Sequence, residues 1–167
     1  MKTSARLQKQ IKLTLAQQAK FKLLFPYLKK KQKILDLGCG SMWLTKTLRE
    51  KKFNCTGFAD VPPADIVGDI KKYRFRKQSF DVVIALEVVE HVSCFEEIRR
   101  ILKPNGLLIL STPMPHFDWL CLIGEKLHVL QDRGTPHCNL TYLKDVPFKK
   151  IFETSLIGII QFGVFKI

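Results

Sequence analysis

The sequence has no acidic residue among its first 33 positions, although ten lysines and arginines lie there. The remaining residues carry 18 basic and 15 acidic side chains, so most of the net charge of +13 belongs to the N-terminal segment. A strongly basic chain suggests a nucleic-acid or membrane-surface protein. Because residues 34–167 are nearly balanced, we instead expect a basic N-terminal helical arm or lid, residues 1–32, followed by one domain, residues 33–167.

Cysteine pairs and long apolar runs are missing too. The cysteines are odd in number and form no CxxC motif, so neither a zinc ribbon nor a redox pair is indicated. No apolar run approaches the ~18–20 residues that span a bilayer. The N-terminus also lacks the apolar core and cleavage site of a secretory signal. We therefore expect a reducing, cytoplasmic location.

Short apolar runs alternate with helical patterns along the rest of the chain. Continuous apolar strands separated by helices indicate a mostly parallel sheet covered on both faces, which is a doubly wound α/β fold. In such folds ligands lie at the carboxyl ends of the strands. The predicted strands are Ile34–Leu37, Cys55–Phe58, Ile66–Val67, Phe80–Leu86 and Leu107–Leu110, and the predicted helices between them are Trp43–Lys51 and Phe95–Leu102.

Both ends of the chain receive separate predictions. Ser4 is expected to cap a helix that runs to about Phe25. A helix is predicted from Thr141 to about Ser155, broken near Pro147. From Leu156 onward only twelve residues remain, so the sheet is expected to end in one strand, a cramped hairpin or a shortened edge.

A glycine loop follows the first strand. Asp36-Leu37-Gly38-Cys39-Gly40 turns the chain from a strand into a helix, and its glycines let a ligand approach the backbone closely. A dinucleotide site requires G-x-G-x-x-G, but Trp43 occupies the third glycine position. Asp36 would repel a pyrophosphate, whereas it suits the cationic methionine part of S-adenosylmethionine (SAM).

These residues resemble motif I of the class I SAM-dependent methyltransferases. Segments 67–70, 80–92 and 100–113 resemble later motifs of the type 11, ubiquinone-pathway-methyltransferase-like subgroup, in the same order and spacing. The resemblance covers roughly residues 33–115. It implies a Rossmann-like methyltransferase fold, SAM as cofactor, and transfer of a methyl group to a small or medium-sized acceptor.

The resemblance also implies a set of cofactor contacts. The loop would pass against the methionine and ribose parts, an acid after the second strand would bind the ribose, and Asp69 with Ile70 would meet the adenine. The family's acid position holds Ala59, so the role passes to Asp60 one residue later. The implied cofactor-binding residues are Asp36, Gly38, Cys39, Gly40, Asp60, Asp69, Ile70, Leu86 and Glu87.

Two departures from the family pattern stand out. Met42 replaces the usual third glycine of motif I, where a side chain could crowd the cofactor. The connection from Asp60 to Ile66 is also too short for the dozen or more residues of a helical crossover, so we expect a compressed ribose side or a marginal third strand.

The catalytic residues are left unassigned. Glu87, Glu90 and His91 would share one face of a helix, which suits Mg²⁺, but Glu90-His91 also belongs to the family signature, and we predict no metal site. His116 or His137 could deprotonate an acceptor. In-line methyl transfer depends mainly on positioning, so a base is not required.

Three alternatives stay open. One is an RNA methyltransferase guided by the basic arm, although aromatic residues are sparse there and nucleic acid is not favoured. Another is a SAM-binding pseudoenzyme or partner subunit without turnover. The third is an NAD-dependent enzyme, which Asp36 and Trp43 argue against. The oligomeric state is not predicted.

Overall fold

The computed structural model describes residues 13–117 and 139–167. Within them, helices flank the first strand, the second to fourth strands follow one another without a helix, a third helix follows the fourth strand, and a hairpin ends the sheet. The strands are β1 Lys33–Leu37, β2 Asn54–Ala59, β3 Ile66–Val67, β4 Phe80–Leu86, β5 Leu102–Pro113, β6 Lys149–Leu156 and β7 Ile160–Lys166. The helices are α1 Leu15–Leu24, α2 Trp43–Glu50 and α3 Phe95–Ile101, with short 3₁₀ turns at Phe25–Tyr27, Pro115–Phe117 and Leu143–Asp145.

All seven strands form one sheet in the order β3-β2-β1-β4-β5-β7-β6. Strands β1 to β5 pair in parallel, while β7 runs antiparallel to both β5 and β6. The predicted doubly wound, mostly parallel α/β sheet is confirmed. Its carboxyl edge, where the parallel strands end, carries the glycine loop after β1.

Alternate residues of the central strands face opposite sides of the sheet. On one side, Ile34 and Ile84 pack with Leu44 and Leu48 of α2. On the other side, Leu35 and its strand neighbours pack with residues of α3, in the larger of the two main core clusters. The sheet is therefore covered on both faces, which explains its continuous apolar strands.

The C-terminal prediction is wrong in one respect. Residues 149–156 form strand β6, not the end of a helix from Thr141 to Ser155. Partly buried Phe152, Thr154 and Leu156 alternate with exposed residues, a period of two that marks an edge strand. Since β6 and β7 form a full hairpin, the sheet is not shortened at this end.

The shortening lies instead in the β2–β3 connection. Residues 60–65 contain turns and bends but no helix, and β3 is two residues long. The predicted compression of this side is confirmed. Asp65 bridges it: its carboxylate binds Arg49 through two hydrogen bonds of 2.9 and 2.5 Å and accepts the Gly57 N–H at 2.6 Å.

Helix α1 begins later than predicted. Thr14 has extended backbone angles and caps the helix through a reciprocal capping box with Gln17, so a continuous helix from Ser4 is wrong. Residues 1–12 lie outside the described part. Among the described helices, none combines the length and apolar character needed to cross a membrane.

Candidate cofactor-binding site

The loop after β1 exposes backbone at the carboxyl edge. The N–H groups of Gly38 and Cys39 both donate to the Phe58 carbonyl, at 2.7 and 3.1 Å, which fixes the loop against β2. Gly38 and Gly40 have positive φ values of +71° and +46°, and both are exposed together with Ser41. A Cβ on Gly38 would lie 2.3 Å from Cγ2 of Val88, so this position requires glycine.

Asp36 lies beneath the loop, not on its open face. It is buried, and its Oδ2 accepts the N–H of Thr45 at 3.1 Å and the Thr45 hydroxyl at 2.6 Å. Thr45 is in the first turn of α2, so Asp36 caps that helix from the neighbouring strand. Burial raises the pKa of Asp36 to about 6, and the hydrogen bonds from Thr45 oppose that rise.

Met42 adopts the left-handed backbone that the missing glycine would favour, with φ +61°. Its side chain is 5% exposed and packs in a small cluster with Cys39 and Ala59. The side chain therefore fills space below the loop and leaves the open face clear. Cys39 is buried as well, and burial raises its pKa to about 11, which makes it a packing residue and not a nucleophile.

Two acids flank the compressed β2–β3 side. Asp60 is exposed directly after β2, as the ribose prediction needs, whereas Ala59 at the family's acid position is buried. Asp69 is exposed as well, and its Oδ1 accepts the N–H of Lys71 at 2.8 Å. Ile70 is only 6% exposed and belongs to the main core. Ile70 is therefore a core residue that packs beneath the β2–β3 side of the sheet.

Leu86 ends β4 at the same carboxyl edge, and Glu87 follows it. Leu86 is half-buried against one core cluster, and Glu87 is exposed with a positive φ of +59°. The Glu87 N–H donates to the Ser111 carbonyl at 2.8 Å. Its carboxylate pairs at 2.5 Å with Lys20 of α1, a buried lysine that sequence reasoning missed.

The expected helical face for Glu87, Glu90 and His91 is wrong. Residues 88–91 form a turn, with Glu87 exposed, Glu90 fully buried and His91 half-buried. Within the described ranges, no group of three potential metal ligands converges.

Glu90 is a second buried carboxylate near this edge. Its Oε2 accepts the Thr112 hydroxyl at 3.1 Å, while its Oε1 finds no hydrogen-bond partner in the described structure. The buried Ser111 hydroxyl of β5 is likewise without one. Burial, helped by the nearby charge of Glu87, raises the pKa of Glu90 to about 7.

The two histidine candidates have different outcomes. His116 is exposed, stacks on Tyr142 and has its Nδ1 3.3 Å from the Tyr142 hydroxyl. His137 lies outside the described residues. A base role for either stays a prediction.

Residues 7–153 match the model of a family described as Methyltransferase domain. The chain belongs to this family. The predicted class I, SAM-dependent methyltransferase family is thus confirmed. Curated relatives include the ubiquinone biosynthesis O-methyltransferase of Bradyrhizobium diazoefficiens, 29% identical over an alignment that covers 79% of this chain and 61% of the relative. The malonyl-[acyl-carrier protein] O-methyltransferase of Halalkalibacterium halodurans is 28% identical, with coverages of 72% and 54%.

Solved structures support the methyltransferase fold. The PH0226 protein of Pyrococcus horikoshii OT3 superposes with a TM-score of 0.69 at 22% identity, over 92% of both chains. A SAM-dependent methyltransferase of Methanosarcina mazei superposes with a TM-score of 0.62 at 18% identity, over 86% of this chain and 96% of that one. At these identities the likeness shows the fold. By contrast, the chain spans about 61% or less of the length of the curated relatives above.

Proposed function

We propose that the chain binds SAM at the glycine loop and transfers its methyl group to an O, N or C atom of a small or medium-sized acceptor. The observation that carries this proposal is the exposed backbone of Gly38, Gly40 and Ser41 at the carboxyl edge. A Cβ on Gly40 would meet only the Gly38 carbonyl, at 3.9 Å, so a ligand has free access there.

The chain's own residues fit such a cofactor. Gly38, Cys39 and Gly40 would offer backbone, and Asp60 and Asp69 would offer exposed carboxylates to the ribose and adenine sides. Asp36 and Ile70 are buried, so in this proposal they support the site without touching the cofactor. Asp36 holds the start of α2 in place, and Ile70 shapes the adenine side from the core.

When bound, the sulfonium of SAM supplies an electrophilic methyl group. The protein's part is to hold the acceptor atom in line with that methyl group and to exclude water. The cofactor would give this methyl group to the acceptor's lone pair and leave as S-adenosylhomocysteine, and a hydroxyl or amine acceptor would lose its proton to water. No side chain is assigned as a base in this proposal.

The relatives favour oxygen as the acceptor atom. The ubiquinone biosynthesis and malonyl-[acyl-carrier protein] relatives are both named as O-methyltransferases. We therefore rank a hydroxyl or carboxyl acceptor above nitrogen and carbon. Nucleic acid is not favoured as the acceptor, and a cytoplasmic location agrees with the buried free cysteines Cys39, Cys55 and Cys94.

The arm is proposed to act as a lid over the acceptor side. Helix α1 reaches the carboxyl edge through Lys20, whose partner Glu87 is one of the proposed cofactor-side residues. Leu24 of the same helix is fully buried in a core cluster with α2. The described part of the arm thus packs on the domain.

Calorimetric titration with SAM tests the site. Gly38→Ala should abolish binding, because its methyl group would collide with Val88 in a left-handed backbone. Gly158→Ala is the matched control: Gly158 has the same φ of +71°, but nothing lies within 4 Å of its added Cβ. Thermal unfolding of both variants separates backbone strain, which should cost each about 1–2 kcal/mol, from the loss of the site.

Three results would contradict the proposal. Wild-type protein that fails to bind SAM at millimolar concentration would remove the cofactor assignment. A folded Gly38→Ala variant that binds as well as Gly158→Ala would move the site elsewhere. Tight SAM binding without release of S-adenosylhomocysteine, across hydroxyl, amine and carboxyl acceptors, would favour a binding protein without turnover.

A further inference from the structure

A cavity of about 540 Å³ lies at the opposite, amino edge of the sheet. Lys33, Phe80 and Lys103 in its wall are the first or second residues of β1, β4 and β5, and the segment 75–79 before β4 supplies much of the rest. The volume is within the range of small-molecule sites. Because the glycine loop follows the other end of β1, this cavity is separate from the proposed SAM site.

The wall of this amino-edge cavity is strongly basic. Lys33, Arg76, Lys77 and Lys103 line it, and no acidic side chain does. Just outside, Asp81 accepts two hydrogen bonds from the Lys103 ammonium, at 2.8 and 2.9 Å, and so neutralises that one charge.

The other charges in the wall are free to meet an anion. Arg76 and Lys77 are exposed and form no ion pair with any residue that the structure describes. The Lys33 ammonium lies over the Phe80 ring, 4.9 Å from its centre.

The segment that carries these charges is held in an unusual shape. Gln78 has a positive φ of +51°, and the N–H groups of Gln78 and Ser79 donate to carbonyls at the end of α3, at 3.0 and 2.8 Å. Ser79 is one of the residues that line the cavity, while its hydroxyl is shielded from solvent and has no hydrogen-bond partner among the described residues.

We infer that this cavity binds a small ligand that carries a phosphate or polyphosphate group. Arg76 offers the planar, forked donors that suit phosphate oxygens. Lys77 and Lys33 add point charges. The concave shape and limited volume favour a small molecule over an extended surface. This inference does not depend on the proposed methyl transfer.

The surroundings would attract such an anion from a distance. Lysine and arginine dominate the segments that enter or leave the strands at the amino edge, and their field raises the local concentration of anions. Besides the four in the wall, these residues are Lys29, Lys30, Lys31, Lys51, Lys52, Lys149, Lys150 and Lys166.

Calorimetric titration with inorganic tripolyphosphate and with ATP tests the inference. Saturating S-adenosylhomocysteine is present, so that adenine binding at the glycine loop does not contribute. The variant Arg76→Ala/Lys77→Ala removes two wall charges. Lys71→Ala/Lys72→Ala is the matched control, because it removes two exposed charges that lie just before the segment 75–79 and outside the wall. Thermal unfolding shows whether both variants stay folded.

We expect the wall variant to bind tripolyphosphate and ATP at least about tenfold more weakly than wild type, as expected for a lost charge-assisted hydrogen bond. The control should change by less than about threefold. Equal weakening in both variants would show nonspecific attraction to a basic surface and overturn the inference. It would also be overturned if wild type bound neither ligand at millimolar concentration, whatever the outcome of the SAM titration.

Discussion

The two edges of the sheet differ in the sign of their charged side chains and in how deeply those side chains are buried. At the carboxyl edge, Asp36 and Glu90 are buried, and the cation that reaches it from α1, Lys20, is buried against Glu87. At the amino edge, lysines and arginines are mostly exposed and surround the cavity before β4. The carboxyl edge thus combines buried acids with the exposed Asp60 and Asp69, whereas the amino edge presents mainly exposed cations.

The comparison changes the meaning of the net charge. Along the sequence, residues 34–167 carry 18 basic and 15 acidic side chains and look balanced. In the fold, many of those basic residues collect where the parallel strands begin. Lys33 belongs to the basic N-terminal segment by sequence and lines the same cavity as Arg76 and Lys103. Topology therefore creates a basic face that a running total of charge does not reveal.

The largest expected effect at the carboxyl edge concerns Glu90. Its pKa is raised from 4.5 to about 7, so the folded protein holds this proton over a range in which the unfolded chain has released it. The stabilisation is complete below pH 4.5 and is lost as the pH rises towards 7, by about 3 kcal/mol in total. The variant Glu90→Gln should lack this part of the pH dependence.

Urea unfolding of wild type and Glu90→Gln between pH 4.5 and 7.5 measures that difference. Asp36, with its pKa raised to about 6, changes stability in the same direction but is present in both proteins, so the difference isolates Glu90. Glu153→Gln is the control, because Glu153 is exposed and paired with Lys150. If the two variants showed parallel pH profiles, Glu90 would be ionised in the folded state.

A smaller effect is expected at Asp36. Asp36→Ala removes the cap from the start of α2 and leaves the Thr45 N–H and hydroxyl without their buried acceptor. We expect a loss of about 2 kcal/mol, measured by urea unfolding, and weaker SAM binding as the loop loosens. Asp60→Ala, an exposed acid of the same edge, should change stability by no more than about 0.5 kcal/mol. Equal losses would contradict the capping role.

Sequence patterns predicted the buried part of the fold well. The predicted strand Phe80–Leu86 is β4, and the predicted two-residue strand Ile66–Val67 is β3. Strand β4 is apolar apart from Asp81 because both faces of the sheet are covered at its position, whereas β3 is an edge strand whose Val67 is exposed. The position of the glycine loop was also predicted correctly, since the positive φ values at Gly38 and Gly40 favour glycine.

Edge strands and long-range pairs were harder to predict. Strand β6 is half exposed, so its charged residues resembled a helix surface, although Phe152, Thr154 and Leu156 carry a period of two. The partner of Glu87 is 67 positions away, and no local pattern distinguishes Lys20 from the other lysines of the arm. Asp36 and Met42 are buried under the loop, and the sequence motif does not indicate on which side of the loop a side chain lies.

The smallest expected effect tests whether the arm is attached to the carboxyl edge through Lys20. A double-mutant cycle of Lys20→Met and Glu87→Gln keeps the lysine's apolar stem and removes each charge in turn. The Lys20 side chain is 9% exposed and that of Glu87 is 41% exposed, so solvent screens this pair only in part. We expect a coupling of about 1 kcal/mol, the upper end for partly exposed pairs.

The Lys150–Glu153 pair supplies the comparison. Its side chains are 38% and 52% exposed, so its coupling should be about 0.3 kcal/mol or less. Urea unfolding at low and high salt measures both cycles, and salt should reduce the exposed pair's coupling by the larger fraction. If the two couplings were equal, α1 would be held only by apolar contacts such as Leu24. Within the described residues, the Lys20–Glu87 pair would then add no more to the attachment of α1 than an exposed surface pair does.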